Sequence, residues 1–307
     1  MTVRFCVSYF EPPGFTAAHC WYDLCSYLAR GIERIGHDCI IVRDAMPEGW
    51  TCILVGTCHN ERLGEGLLST ATARRPYIYF LTEFIGRSTV PDRQGWSLAI
   101  PSCTRAADLL NFRTIHLPLM QRADAVWNAA PSNADALRDL AIDADLLPGG
   151  YLPEMEEVRP KRTKDIDFLY YGNDMPHKVD MLRRLQALGG RIVSVGCDVT
   201  AIYRNDLIAR ARVHLAPHRG AGQNALSWAR VCYLLNQRSL VVVEQSRDQE
   251  LYQDCFPWAD TDHWGDLCIA KLNRPDRDHA AREYFQRFQQ IRFDDHLRPL
   301  LAKFAAR

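Results

Sequence analysis

Residues 211–225 read Ala211-Arg212-Val213-His214-Leu215-Ala216-Pro217-His218-Arg219-Gly220-Ala221-Gly222-Gln223-Asn224-Ala225. Val213 to Ala216 form a short apolar run of strand type, and a helical pattern carrying Leu226, Arg230, Tyr233 and Leu234 follows. Between them lies a glycine turn. Glycines let the backbone approach an anion, and the free N–H groups at a helix start attract negative charge. Gly220, Gly222 and Ala225 fit a G-x-G-x-x-A spacing. Glu244 lies about twenty residues on, past the next strand, where a carboxylate can meet ribose hydroxyls. His218 and Arg219 are donors suited to phosphate oxygens, and Gln223 and Asn224 complete the polar set of the turn. His214, inside the strand, reads as a core histidine.

Around this segment the second half of the chain alternates strands and helices. Strands are expected at 166–171, 191–195, 212–216 and 239–243, with helices at 176–188, 203–210 and 224–236. The first of these strands ends at Gly172-Asn173, with His177 and Lys178 at the start of the next helix, where Lys178 can neutralise a diphosphate. Parallel sheets bind ligands at the C-terminal ends of their strands, so this turn and the 217–225 loop are expected to share one edge. The tail from 277 to 307 reads as two amphipathic helices.

The first half has the same rhythm. A strand at 3–9 is broken by Pro12-Pro13-Gly14 and followed by a helix ending near Gly36; strands follow at 38–42, 52–55, 77–81 and 124–128. Strand, helix, strand at this spacing begins a parallel sheet. Pro153, Pro160 and the charges between Glu154 and Lys164 mark a boundary, giving an N-terminal domain of residues 1–158 and a C-terminal domain of residues 159–307. The fold class is α/β, with two Rossmann-like parallel sheets facing across a cleft.

The 307 residues suit two domains. Hydrophobic residues make up 47% and charged residues 24%, and no apolar run approaches the ~20 residues of a membrane span. Thirty-seven basic and 37 acidic residues cancel, which removes the electrostatic case for nucleic acid and leaves it open only as an acceptor. Eleven cysteines are scattered through apolar segments without a C-x-x-C pair, as reduced core residues would be. With no signal-peptide pattern at Met1-Thr2-Val3-Arg4, the expected location is the cytoplasm.

Several segments together resemble the GT-B-fold bacterial glycosyltransferases, including the spore-maturation glycosyltransferase-like group. They are Asp124-Ala125-Val126-Trp127 with Pro131-Ser132-Asn133, Leu147 to Pro153, Asp167 to Gly172, Arg210 to His218, and Arg230 to Leu235. The resemblance implies a nucleotide sugar (UDP-, GDP- or dTDP-linked) held mainly by the C-terminal domain and an acceptor held mainly by the N-terminal one. It also implies a C-terminal helix that crosses back, and transfer without a metal or other cofactor. The family places a glutamate three residues past an arginine like Arg230. Tyr233 stands there instead, so Glu244 becomes the substitute for ribose binding.

For the chemistry at the acceptor, Glu83 follows the strand 77–81 and is the candidate general base, unless it caps a helix beginning at Phe84. His19, after the Pro-Pro-Gly break, is the second candidate. The D-x-D triplets Asp143/Asp145, Asp165/Asp167 and Asp260/Asp262 stand apart from the glycine turn and are not taken as metal sites. Two other readings compete. A nicotinamide-dependent oxidoreductase would also suit the glycine spacing, but expects it after the first strand of its domain. A non-catalytic nucleotide-sugar-binding module is suggested by Tyr233.

Overall fold

The computed structural model describes residues 3–10, 21–55, 76–87, 96–98, 112–172, 175–196, 198–218 and 225–306. The chain divides into two compact units. The first contains residues 24–148 with residues 294–307 and the N-terminal strand; the second contains residues 149–293 and a short piece ending at Asp23.

In the first unit, β1 (Arg4–Tyr9) leads to α1 (Tyr22–Ile35), β2 (Asp38–Arg43), β3 (Thr51–Val55) and β4 (Tyr77–Leu81). A two-stranded antiparallel ribbon of β5 (Ile85–Arg87) and β6 (Trp96–Leu98) follows, then a π-helical turn at Phe112–His116 and α2 (Leu117–Arg122). The unit continues through β7 (Ala125–Asn128), α3 (Ala134–Asp139) and β8 (Asp145–Leu146). The main sheet runs β2-β1-β3-β4-β7-β8, with every pairing parallel. β3 and β4 are buried along their whole length, as continuous apolar runs in a two-sided parallel sheet must be.

The second unit contains β9 (Ile166–Tyr171), α4 (Pro176–Ala187), β10 (Ile192–Val195), α5 (Ala201–Arg210), β11 (Ala211–Ala216), α6 (Trp228–Asn236) and β12 (Val241–Glu244). It ends with β13 (Trp258–Ala259), α7 (Trp264–Asn273) and α8 (Arg277–Phe288). Its sheet is again fully parallel, in the order β10-β9-β11-β12-β13. The core packs Phe168, Tyr170, Val213, Leu215 and Val242 against Met181 and Leu185 of α4 and Trp264 and Cys268 of α7. The seven described cysteines assessed are free.

The units part after Pro148, ten residues before the expected boundary at 158. The reason is in the hydrogen bonds of the segment that follows. Tyr151 N–H donates to Ile291 O at 2.6 Å, and Phe293 N–H donates to Tyr151 O at 3.1 Å. A Cβ at Gly150 would lie 2.7 Å from both Ile291 O and Phe293 N, so this approach needs glycine. Asn236 and Gln237, at the end of α6, bind the same segment: Leu152 N–H donates to Asn236 Oδ1, and Glu157 and Val158 N–H donate to Gln237 Oε1. Residues 294–307, in the final helix α9 (Phe293–Ala305), group with the first unit, as expected of a C-terminal helix that crosses back and not as the 159–307 division has it. There Lys303 pairs with Asp145 at 2.7 Å and Asp294 with Arg34 at 3.6 Å.

Candidate functional site

The second sheet winds outward in both directions from the β9/β11 pair, which is where open parallel sheets bind ligands. β9 and β11 are parallel neighbours, with Val213 opposite Phe168 and His214 opposite Leu169. The turns after Tyr171 and after Ala216 therefore leave the sheet at the same edge. Gly172, Pro217 and His218 occupy it. Asn173, Arg219, Gly220, Gly222, Gln223 and Asn224 of the expected donor set, and His19 of the expected catalytic pair, lie outside the described residues.

Gly172 has φ +149°, in the region that favours glycine, and a Cβ there would overlap the Arg230 guanidinium and approach the Tyr170 hydroxyl to 2.8 Å. Arg230 lies over Tyr170 and Tyr171, 5.6 and 5.5 Å from their ring centres, and its Nη1 is buried without a hydrogen-bond partner among the described residues. Lys178 is buried in the first turn of α4, with Nζ 5.8 Å from the centre of the Tyr170 ring. The Arg230 guanidinium thus takes the space that a side chain at position 172 would need, and Lys178 is a second cation near Tyr170. A buried guanidinium nitrogen without a partner is costly in isolation and is relieved by an anion.

Glu244, expected to meet ribose hydroxyls, lies at the end of β12. Its carboxylate is buried and taken up by protein donors rather than left for ribose hydroxyls. Thr261 Oγ1 donates to Oε1 at 2.7 Å, His177 Nε2 lies 2.9 Å from both oxygens, and His218 Nε2 lies 3.0 Å from Oε1. The His218 backbone N–H donates to Oε2 at 3.0 Å. Burial alone would raise the pKa of this group, but the hydrogen bonds from His218, Thr261 and His177 hold it down to about 2. The two imidazoles are stacked, with centres 4.5 Å apart and planes 5° from parallel. One carboxylate therefore stitches together the end of β11, the end of β12, the segment after β13 and the start of the helix that follows β9. His177 and Thr261 were not in the expected site. They stand 67 and 17 residues from Glu244 in sequence, and no local spacing signals the cluster.

Tyr233 is structural. It is fully buried, with its hydroxyl 2.8 Å from Asn205 Oδ1 and 3.0 Å from Glu157 Oε2, and Arg204 lies over its ring at 4.5 Å. Arg204 in turn pairs with buried Asp23 at 2.9 Å. Desolvation raises the Asp23 pKa to about 6 despite that partner. His214 is buried as a core histidine, with no hydrogen-bond partner for either ring nitrogen among the described residues, and burial with the charge of Lys164 lowers its pKa to about 3.

In the first unit, Glu83 follows β4 and is partly exposed. No helix begins at Phe84; the chain enters β5 at Ile85 instead. Buried Asn133 holds this turn from both sides, donating from Nδ2 to Glu83 O and accepting the Ile85 N–H at Oδ1, both at 2.9 Å. Five of the six D-x-D acids form ion pairs: Asp145 with Lys303, Asp165 with Arg210, Asp167 with Arg191 and Arg212, Asp260 with His263, and Asp262 with Arg184.

No protein-family model matches the chain, and no curated protein matches it by sequence. Solved structures do. An alpha,alpha-trehalose-phosphate synthase (UDP-forming) from Burkholderia vietnamiensis is similar at TM-score 0.57 and 9% identity, over 100% of this chain and 99% of that one. AviGT4, a glycosyltransferase involved in Avilamycin A biosynthesis, is similar at TM-score 0.54 and 14% identity, over 98% and 97%. TarM is similar at TM-score 0.53 and 10% identity over 94% of this chain, which spans 58% of the length of TarM. The chain therefore has the fold of the GT-B glycosyltransferases, the class of sugar-transferring enzymes that its sequence resembles.

Proposed function

We propose that this protein is a glycosyltransferase that moves a sugar from a nucleotide-diphosphate sugar to an acceptor hydroxyl or other nucleophile. The observation that carries the reading is the shared edge of β9 and β11, where the buried Arg230 Nη1, set against Gly172, lacks a hydrogen-bond partner among the described residues and Lys178 is buried at the start of α4. A diphosphate there would supply the anion that Arg230 Nη1 lacks. The acceptor belongs to the first unit in this reading, with Glu83 as general base. The leaving diphosphate is offset by protein cations and backbone N–H groups, so transfer proceeds without a metal. UDP is the first nucleotide to try, because one of the similar synthases is named as UDP-forming. We assign the protein to the cytoplasm; no helix among the described residues is long and apolar enough to cross a membrane.

The oxidoreductase reading fits less well, because the glycine turn follows β11, the third strand of its unit. Thermal-shift screening against UDP, GDP, dTDP and NAD, followed by mass analysis of product from the matching sugar nucleotides, tests the proposal. Stabilisation by a nucleoside diphosphate and an EDTA-resistant transfer product are expected. Stabilisation by NAD alone would favour the oxidoreductase, and nucleotide binding without turnover would favour a binding module.

A further inference from the structure

Glu244 carries more contacts than hydrogen bonding accommodates. A carboxylate oxygen has two lone-pair directions. Oε1 has Thr261 Oγ1, His177 Nε2 and His218 Nε2 within 3.0 Å, while Oε2 has the His218 N–H and a second approach of His177 Nε2. The carboxylate is also wholly buried, and no lysine or arginine among the described residues pairs with it. A buried anion needs a compensating cation.

We propose that His177, His218 and Glu244 form a site for a divalent transition-metal ion of the zinc class. The three ligand atoms lie within 4.8 Å of one another. Two imidazole nitrogens and a carboxylate suit zinc, cobalt or nickel rather than magnesium or calcium, which prefer all-oxygen sets. Binding requires the Nε2 proton of each ring to move to Nδ1 or leave to solvent, which frees two lone pairs and relieves the crowding at Oε1. The stacked rings keep both Nε2 atoms on the carboxylate, and His177, the more exposed of the two, has room to turn toward the ion. The Thr261 hydroxyl and the His218 N–H orient the carboxylate from behind, as supporting groups do in metal centres. The ion would tie together the start of α4, the turn after β11 and the end of β12. It would take no part in transfer, whose cationic side chains are Arg230 and Lys178.

Direct binding tests this without any sugar donor, so its failure and the failure of the transferase reading are separable. The full-length protein is dialysed against EDTA and then metal-free buffer, and titrated with zinc chloride by calorimetry and with cobalt chloride by visible absorption. One equivalent is expected, with a cobalt ligand-field band and a rise in Tm of roughly 3–6 °C at saturating zinc. His177→Ala should weaken zinc binding at least tenfold, and Thr261→Val should weaken it about tenfold. X-ray absorption of the zinc-loaded wild-type protein should show two imidazoles, a readout that needs no variant to fold. Absence of saturable binding, unchanged affinity in His177→Ala, or fewer than two imidazoles around zinc would each overturn the proposal.

Discussion

The two sheets share one winding order but differ in what they bury. Numbered within its own unit, each sheet runs second, first, third, fourth, fifth strand, and the first unit adds a sixth. Every buried aspartate, glutamate, lysine and arginine among the described residues belongs to the second unit: Asp23, Asp167, Lys178, Arg204, Glu244 and Asp248. The first unit buries Ser8, Ser26, Thr51, His116, Asn128 and Asn133 instead, and closes its turns with neutral amides. Position in the winding dictates where a ligand can approach. The side chains at the strand ends decide which ligand gains from approaching: Glu244 ends β12 and Lys178 starts α4, whereas Asp167 lies at the beginning of β9.

The largest effect expected from breaking this contrast lies in the sheet without buried charge. Glu83 is the acidic group that leaves the end of β4, and we propose it as the base for the acceptor. For Glu83→Gln, turnover should fall on the order of 10²–10⁴-fold, with donor affinity and Tm little changed. Steady-state kinetics beside a melting curve check both. Near-normal turnover would remove Glu83 from the reaction and leave His19 as the remaining candidate.

The third strand of each sheet offers the next test. β3 contains Thr51 to Val55 and no ionisable group except Cys52, whereas β11 carries His214. Burial lowers the His214 pKa from 6.5 to about 3, so the unfolded chain binds a proton more readily than the folded one. The stability this confers is present in full above about pH 6.5 and is lost as pH falls toward 3, up to about 4–5 kcal/mol. Urea unfolding across that range should show the slope, and His214→Leu should flatten it. An unchanged slope in the variant would mean that other groups set the acid limit.

These cases show how far the sequence reached. The strand at 166–171 and the strand at 77–81 were legible to the residue, because continuous apolar runs between turn signals admit one reading. β8 and β13, two residues each, carry too little pattern to see. α7 was hidden by the acidic turn before it and by Gly265 in its first turn. Gly172 and Arg230 were singled out in the sequence because strand ends and helix starts carry anion-binding chemistry locally, and the structure brings those two together while His218 turns to Glu244. The partners of Glu244 were not, because only the parallel pairing of β11 with β12 and of β12 with β13 brings them together.

The smallest effect concerns how the neutral sheet holds its turn. Asn133 is wholly buried and makes three hydrogen bonds: to Glu83 O, from Ile85 N–H, and from its own Nδ2 to Asn128 Oδ1 at 3.0 Å. Asn128 in turn folds back on Ala130, donating to its carbonyl at 2.7 Å and accepting its N–H at 3.2 Å. Asn133→Ala removes the partner of a buried N–H and should cost about 1–3 kcal/mol of stability. No charge is left exposed by the change, so the cost should hold from low to high salt, because screening acts on charges. Arg204→Met in the second unit supplies the contrast, since it strands the Asp23 carboxylate and its effect should depend on pH around the raised pKa of about 6. Chemical denaturation of both variants at two salt concentrations and at pH 5 and 8 makes the comparison. If the loss in Asn133→Ala varied with pH as strongly as that in Arg204→Met, the division between an amide-held sheet and a charge-held sheet would fail.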